Sequence, residues 1–277
     1  MIASATSLSV RFGGTTALHD VTVGLAAGTV VSVVGGDGAG KTTLLRTFAR
    51  EVIPESGQVN SPDKSAMGFL PAGPGSWGAL TVRQNLDFVG GIYGFTGSAL
   101  TERREEMIHR AGLGIAADRQ ASALSGGMRR KLAASMAMIH RPKLIILDEP
   151  STGVDPVSRI DLWRMISECA ADGAAVIMST TYLDEAERAG ELLVLDGGRV
   201  LAQGSYDDVR AGFTGTITTA TQPVRREWSW RRGHERHEYW PTGTTPTDHR
   251  RSTVTPDLED IVISLSLQQQ LRSGTTA

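Results

Sequence analysis

Hydrophobic and polar positions along the chain form a pattern that predicts strands separated by helices. Residues 7–12 and 17–25 alternate between apolar and polar side chains, as half-buried strands do. Three continuous apolar runs are typical of strands buried on both faces of a parallel sheet: residues 29–34, 144–147 and 174–179. Strands that alternate with helical segments indicate an α/β fold with a parallel core.

Longer segments with apolar residues three or four positions apart predict helices. They cover residues 99–111, 128–141 and 157–171, and residues 73–140 as a whole are helical in character. Residues 54–57 predict a turn. Gly197 and Gly198 separate two short apolar segments, which predicts a β-hairpin.

The composition of the chain changes after about residue 215. Residues 216–255 are rich in Thr, Arg and Trp and show little helical periodicity. Thr255 suits a helix cap and Pro256 a first helical position, so we predict that a helix starts there. We therefore expect a main domain over residues 1–215 and a small accessory region over residues 216–277.

Charge and cysteine content exclude several functions. The net charge of the 277 residues is −2, so no overall field attracts the chain to nucleic acid or acidic lipid. The single cysteine, Cys169, excludes an internal disulfide and a cysteine-cluster metal site, and its neighbours predict a buried thiol on a helix. We find no signal-peptide pattern and no apolar run near the ~20 residues that span a bilayer. Other chains would carry any membrane part.

A glycine-rich loop follows the first continuous apolar run. Residues 35–42 read Gly-Gly-Asp-Gly-Ala-Gly-Lys-Thr, and a helical stretch comes next. Glycines allow backbone N–H groups to converge on an anion, and a helix N-terminus adds partial positive charge. We expect Lys41 to reach the outer phosphates and the Thr42 hydroxyl to bind Mg²⁺. The sequence therefore predicts a site for a nucleoside triphosphate.

Two acidic residues follow the apolar run 144–147. Asp148 stands at the end of this strand, where a carboxylate would complete the Mg²⁺ shell opposite Thr42. Glu149 is the candidate base that orients the attacking water.

A second candidate anion site lies shortly before that strand. Ser125 suits a helix cap, and Gly126 and Gly127 leave backbone N–H groups free for an anion. A single nucleotide rarely needs two such helix starts from one chain. We therefore expect two chains to sandwich ATP head to tail, one providing the glycine loop and the other the Ser-Gly-Gly cap.

With these motifs in this order, residues 4–210 resemble the ATP-binding subunit of an ABC transporter. Residues 35–42 resemble its Walker A loop, residues 124–128 its signature, and residues 144–148 its Walker B strand. The resemblance implies a P-loop NTPase fold with a mixed sheet core, an antiparallel N-terminal β subdomain, a helical signature subdomain at about 73–140 and a small C-terminal accessory region. Residues 179–187 and 255–260 resemble the drug-export and antibiotic-resistance branch.

The resemblance also implies roles for single residues. Phe12 stands where the family stacks an aromatic ring on adenine, and Asp155 lies in a segment that matches the D-loop, which touches the opposite site. Glu149 and Lys41 are the implied catalytic residues, and Thr42 and Asp148 the implied metal ligands. The implied ATP-binding residues are Phe12, Gly35, Gly36, Asp37, Gly38, Ala39, Gly40, Lys41, Thr42, Thr43, Ser125, Gly126, Gly127, Asp155 and Thr181.

Three departures from the family pattern affect the expected chemistry. Ala72 replaces the Q-loop glutamine, and Thr181 replaces the switch histidine that contacts the γ-phosphate. Gly36 and Asp37 replace the usual Pro and Asn, which is a mild change. Because losing a transition-state donor typically slows such chemistry by ~10²–10³, we expect this loop to bind ATP well and hydrolyse it slowly. The complete signature favours an asymmetric pair with a different cassette.

The resulting prediction is an ATP-binding motor subunit that couples ATP binding and hydrolysis to export. It would use ATP and Mg²⁺, sit on the cytoplasmic face of the cell membrane, and pair with an integral membrane permease and a second cassette, without nucleic acid. Two alternatives stay open: a soluble ATPase acting on nucleic acid or ribosomes, and a non-catalytic ATP-binding partner. We interpret residues 225–240 as a partner or regulatory surface, with His234 and His237 at the surface.

Overall fold

The computed structural model describes residues 1–244 and 252–272. In chain order, the strands are β1 (Ala3–Phe12), β2 (Thr15–Leu25), β3 (Val30–Val34), β4 (Ser56–Asn60), β5 (Met67–Leu70), β6 (Leu144–Leu147), β7 (Ala175–Thr180), β8 (Glu191–Asp196), β9 (Arg199–Gly204), β10 (Thr216–Ala220), β11 (Ser229–Arg232), β12 (Glu235–Trp240) and β13 (Ser252–Val254). The helices are α1 (Lys41–Phe48), α2 (Val82–Ile92), α3 (Gly97–Arg110), α4 (Gly126–Met138), α5 (Pro156–Ala171), α6 (Leu183–Ala186), α7 (Tyr206–Gly212) and α8 (Leu258–Arg272).

A six-stranded sheet in the order β5-β6-β7-β3-β8-β9 forms the centre of the fold. Its strands run parallel except β9, which pairs antiparallel with β8 across Gly197 and Gly198. Every residue of β3, β6 and β7 is buried, as their continuous apolar runs predict. The α/β fold class and the hairpin are thus confirmed. All parallel strands deliver their carboxyl ends to one edge, where the candidate site lies.

A smaller antiparallel sheet, in the order β2-β1-β4, covers one face of the centre. Leu8 and Val21 of this sheet share an apolar cluster with Phe48 of α1 and Ile177 of β7. The turn predicted at residues 54–57 is wrong in its second half, because β4 already begins at Ser56 and pairs with β1. Local turn residues do not reveal this pairing, which β1 supplies from some 50 residues earlier in the chain.

Helices α2, α3 and α4 pack against the opposite face, which confirms the helical character of residues 73–140. Leu86, Met107 and Leu132 from these helices join Ile145 of β6 and Ile166 of α5 in a second apolar cluster. Helix α4 ends at Met138, earlier than predicted, and is buried on nearly every side, including its Arg130 and Lys131. Its surroundings, not its own amphipathic pattern, therefore determine its burial.

Gly68 of β5 provides a first test of this packing, because α4 passes directly over it. A Cβ at position 68 would lie 1.9 Å from the carbonyl oxygen of Ala137. We expect Gly68→Ala to push α4 outward and lower the free energy of unfolding by about 1–3 kcal/mol. Gly91→Ala on α2, where a Cβ meets nothing within 4 Å, should be neutral or stabilising. Urea unfolding of both variants measures this, and equal midpoints would contradict the contact.

The C-terminal part of the chain contains a four-stranded antiparallel sheet in the order β11-β12-β10-β13. No strand was predicted there, because its residues lack a clear apolar alternation. The last helix begins at Leu258, and the Asp260 N–H donates to Asp257 Oδ1 at 3.0 Å. Asp257 is therefore the cap, and the predicted start at Thr255 and Pro256 is wrong.

Helix α8 packs against the main domain. Its Leu258 and Ile261 pack with Val34 of β3, Leu192 of β8 and Val209 of α7. Helix α8 thus packs against elements of the main domain. The division into a domain over residues 1–215 and an accessory region over residues 216–277 stays a prediction. Residues 245–251 and 273–277 of the accessory region lie outside the described residues.

Some side chains of the Trp- and Arg-rich residues 225–240 pack within this sheet, whereas others are exposed. Tyr239 and Trp240 are buried, and the Arg225 guanidinium lies 4.7 Å from the Trp228 ring centre and 5.4 Å from that of Trp240. His237 Nδ1 lies 2.7 Å from Asp260 Oδ1, and its side chain is only 12% exposed. The prediction of His237 as a surface residue is wrong, because β12 turns this side chain toward α8.

Two expectations from composition concern the thiol and the membrane. Cys169 is buried in α5 with its Sγ 3.6 Å from Met138 Sδ, and burial raises the pKa of this thiol. The buried thiol is thus confirmed. Within the described ranges 1–244 and 252–272, no helix has the length and apolar character to cross a bilayer.

Candidate nucleotide-binding site

The glycine loop lies between β3 and α1, at the carboxyl edge of the central sheet. A Cβ at Gly35 would lie 2.2 Å from the carbonyl oxygen of Leu195, and Gly40 has a φ of +101°. No side chain fits at either position without strain. Around Gly36 and Gly38, in contrast, a Cβ would meet nothing within 4 Å. Neighbouring backbone therefore holds the two ends of the loop tightly and leaves its middle open to a ligand.

Lys41 spans this loop from the first residue of α1. Its buried Nζ donates to the carbonyl oxygens of Gly35 at 2.7 Å and Gly36 at 2.9 Å. The ammonium group is thus held on the inner side of the loop, next to the helix N-terminus. Both features place positive charge where phosphate oxygens would bind.

A cleft of about 330 Å³ opens in front of the loop. This volume falls in the range of small-molecule sites. It is lined by Thr15, Thr16, Ala17, Asp37, Gly38, Ala39, Gly40, Lys41, Thr42, Thr43 and Glu149. Threonines 15 and 16 come from the start of β2, and sequence reasoning missed them. Phe12 pairs with Thr15 in the same hairpin, and the residue is 54% exposed at the rim of the sheet.

Thr42, in the first turn of α1, meets Asp148, the residue that follows β6. Thr42 Oγ1 donates to Asp148 Oδ1 at 3.2 Å, and Ser179 Oγ at the end of β7 donates to the same oxygen at 2.7 Å. A hydroxyl and a buried carboxylate are the oxygen donors that Mg²⁺ prefers, so this pair fits that ion. When bound, Mg²⁺ would neutralise charge on the phosphate oxygens.

Ser179 is a site residue that sequence reasoning missed. Its hydroxyl also accepts a hydrogen bond from the Glu149 N–H at 2.8 Å, so one side chain fixes two neighbouring acids. The signal was available, since β6 and β7 are both buried runs that end in polar residues. Parallel neighbours bring such ends together.

Glu149 lies between two clefts. It lines the cleft of the glycine loop and also a second cleft of about 320 Å³. Its backbone has a φ of +47°, and the Thr152 hydroxyl donates to its Oε2 at 3.0 Å. A left-handed conformation in a residue other than glycine costs on the order of 1–2 kcal/mol and is typical of functional sites. The hydrogen bonds from Ser179 and Thr152 stabilise this position.

The signature helix start belongs to the second cleft. Ser125 caps α4, its Oγ accepting from the Met128 N–H at 3.2 Å, and both Ser125 and Gly126 are exposed. The second cleft is lined by Ala72, Gly73, Pro74, Gly126, Arg129, Arg130, Glu149 and Thr152. The structure therefore brings Lys41, Thr42, Asp148 and Glu149 together but keeps the Ser-Gly-Gly start apart from the glycine loop.

Asp155 and Thr181 lie outside both clefts, as far as the described residues show. Asp155 caps α5 by accepting from the Ser158 N–H at 3.0 Å, and this hydrogen bonding lowers the pKa of its carboxyl group. A Cβ added at Gly127 would lie 3.1 Å from Asp155 Oδ2, so this segment packs on the signature of its own chain. Thr181 is exposed just after β7.

Arg130 is a further residue that sequence reasoning missed. Its guanidinium is buried and donates to five backbone carbonyl groups: Pro71 at 3.1 Å, Gly73 at 2.7 Å, Asp148 at 2.7 Å, Glu149 at 2.9 Å and Pro150 at 3.0 Å. Burial lowers the pKa of Arg130, and the charges of Asp148 and Glu149 oppose this shift. The sequence carried no clear signal for this role, because Arg129 and Lys131 flank Arg130 and only the fold shows which of the three charges has these carbonyl partners.

Comparison with known proteins agrees with this geometry. A family profile described as ABC transporter matches residues 18–152. The chain is 37% identical over 207 residues to the "Probable multidrug ABC transporter ATP-binding protein YbhF" of Escherichia coli (strain K12), covering 71% of this chain and 36% of that relative. It is 32% identical to the "Daunorubicin resistance ATP-binding protein DrrA3" of Streptomyces coeruleorubidus, covering 73% of this chain and 67% of the relative.

A solved structure described as "Structure of ATP binding subunit of ABC transporter" matches with a TM-score of 0.70 and 26% identity. The match covers 76% of this chain and 92% of that one. The chain belongs to the family of ABC transporter ATP-binding proteins. It spans about a third of the length of the first of these relatives.

Proposed function

We propose that this chain is the ATP-binding motor subunit of a membrane exporter, and that it uses Mg²⁺ with ATP. The observation that carries the proposal is the grouping of Lys41, Thr42, Asp148 and Glu149 around one cleft below an open glycine loop. In this assignment Lys41 and the loop amides bind the phosphates, Thr42 and Asp148 hold the metal, and Glu149 orients the attacking water. Phe12, at the rim, would stack on the base.

The separation of the two helix starts supports a head-to-tail pair of cassettes. Ser125 and Gly126 are exposed, and Gly126 lines a different cleft from Lys41. The free N–H groups at the start of α4 would therefore bind a nucleotide held by another chain. Asp155 and Gly127, packed on each other, would move as one unit in this contact.

We further propose that the chain's own site hydrolyses ATP slowly. The Ala72 side chain, in the second cleft, can neither hydrogen-bond to water nor bind a metal ion. The Thr181 side chain is shorter than that of the histidine it replaces. The signature start, in contrast, is capped and complete. This combination favours pairing with a different cassette, whose site the Ser125 cap would complete.

An apolar groove next to residues 71–75 is our candidate contact for the permease. Trp77 packs edge-on against Phe88, with ring centres 4.7 Å apart, and both are about half exposed. Ile92 on the same helix as Phe88 is 65% exposed. A small cavity of about 170 Å³ continues this face between Pro71 and Tyr93. Such a patch suits an apolar segment of an integral membrane partner at the cytoplasmic face of the membrane.

The proposal is tested by purifying the chain with a candidate permease, sought among the proteins encoded by neighbouring genes. We expect the chain to bind Mg-ATP, to turn it over slowly alone and faster in the complex, and to lose all turnover in Glu149→Gln. Ile92→Glu should break the complex without changing ATP affinity. Ile115→Glu, at a residue that is 87% exposed elsewhere in the helical segment, is the matched control and should change neither.

Three results would count against the proposal. A chain that does not bind Mg-ATP would exclude the motor function altogether. A chain that binds ATP but forms the same complex with Ile92→Glu would exclude the proposed groove. Brisk turnover by the isolated chain, lost in Glu149→Gln, would exclude the slow site.

A further inference from the structure

The Arg130 guanidinium connects two loops that carry parts of the site. Its five N–H donors equal in number the five carbonyl oxygens that they bind. Two of these acceptors belong to residues 71–73, which follow β5, and three belong to residues 148–150, which follow β6. The residue is 7% exposed, so its hydrogen bonds are shielded from water.

The two loops differ in what they contact. Pro71 borders the apolar groove, whereas Glu149 lines the cleft of the glycine loop. Ala72, in the middle of the first loop, lines the same cleft as Glu149 but offers no polar side chain to it. Strands β5 and β6 pair up to Leu70 and Leu147, and beyond that point the Asp148 N–H donates to the Leu70 carbonyl at 2.8 Å. Beyond this backbone hydrogen bond, the Arg130 side chain connects residues 71–73 to residues 148–150.

We propose that Arg130 is a positioning residue that links the position of residues 71–73 to that of Glu149, in place of a side-chain amide at position 72. Because Arg130 lies within the first two turns after the Ser125 cap, the start of α4 takes part in the same link. This inference rests on the proposed function, which assigns the groove to a permease and Glu149 to water activation. A lysine would keep the charge, but its three donors share one nitrogen and cannot span both loops.

Turnover gives the first test, with Arg130→Lys in the full chain and its complex. We expect the Kd for Mg-ATP to stay within about twofold, while turnover in the complex falls at least tenfold. Arg103→Lys is the matched control, since Arg103 is also buried and donates to the carbonyl oxygens of Met138 and Ile139, which line neither cleft. This control should lower the unfolding midpoint but leave turnover per folded molecule unchanged.

Hydrogen exchange without nucleotide gives a second test that does not depend on activity. In Arg130→Lys, backbone amides within residues 72–76 and 148–152 should exchange faster together, while in Arg103→Lys both segments should match the wild type. Unchanged exchange in these segments, or wild-type turnover in Arg130→Lys, would overturn the link. If the wild type fails to bind ATP, the motor function fails, and the exchange result still decides whether Arg130 holds the two loops.

Discussion

Replacing Lys41 by alanine is expected to weaken Mg-ATP binding by about a hundredfold or more. The Lys41 ammonium lies on the inner side of the glycine loop, where it holds the carbonyl groups of Gly35 and Gly36. Phosphate oxygens would take over these hydrogen bonds, and each bond to a charged group is worth about 1.5–3 kcal/mol. Titration calorimetry with Mg-ATP measures the loss.

The matched control is Lys64→Ala, which removes an exposed lysine that does not line the cleft of the glycine loop. We expect it to leave the Kd unchanged, which excludes an effect of net charge. Circular dichroism and thermal unfolding of Lys41→Ala would show that the fold is intact. Full affinity of folded Lys41→Ala for Mg-ATP would refute the assignment of this cleft to a triphosphate.

The double replacement Ala72→Gln with Thr181→His is expected to raise ATP turnover by about 10–100-fold. Ala72 lines the same cleft as Glu149, and this cleft of about 320 Å³ has room for a glutamine side chain. Thr181 is exposed, so an imidazole fits there without repacking. One hydrogen-bond donor to the transition state typically changes the rate by ~10²–10³. We expect the two added donors to recover part of this factor, because the surrounding residues are not arranged to orient them. Steady-state phosphate release in the complex measures the gain.

The same double replacement in a Glu149→Gln background should give no gain, because the added donors need an oriented water. Each single replacement should give an intermediate rate. If the double variant binds ATP as well as the wild type but is no faster, Ala72 and Thr181 do not limit the rate of hydrolysis at this site.

Most of the central fold and the separate motifs could be predicted from the sequence. Continuous apolar runs located β3, β6 and β7 closely, because strands buried on both faces need apolar side chains at every position. The glycine loop could also be predicted, because its chemistry depends on residues that are adjacent in the sequence. Local patterns thus located Lys41, Thr42, Asp148 and Glu149 before any contact was known.

Prediction failed where distant partners decide the structure. The strand β4 exists because β1 pairs with it, and the C-terminal sheet forms from segments with no clear alternation of their own. Asp257 replaces Thr255 as the cap of α8 through a hydrogen bond that only the final geometry defines. His237 was expected at the surface and instead meets Asp260, because two segments 23 residues apart pack together.

The chain by itself determined the family, the buried strands and the position of the glycine loop, since these depend on residue types at fixed spacings. Only the tertiary structure decided that Ser179 fixes both acids, that the signature start belongs to another cleft than Lys41, and that Arg130 joins two loops. The physical reason is that hydrogen bonds between groups far apart in sequence form only when packing brings the donor and acceptor atoms within about 3 Å.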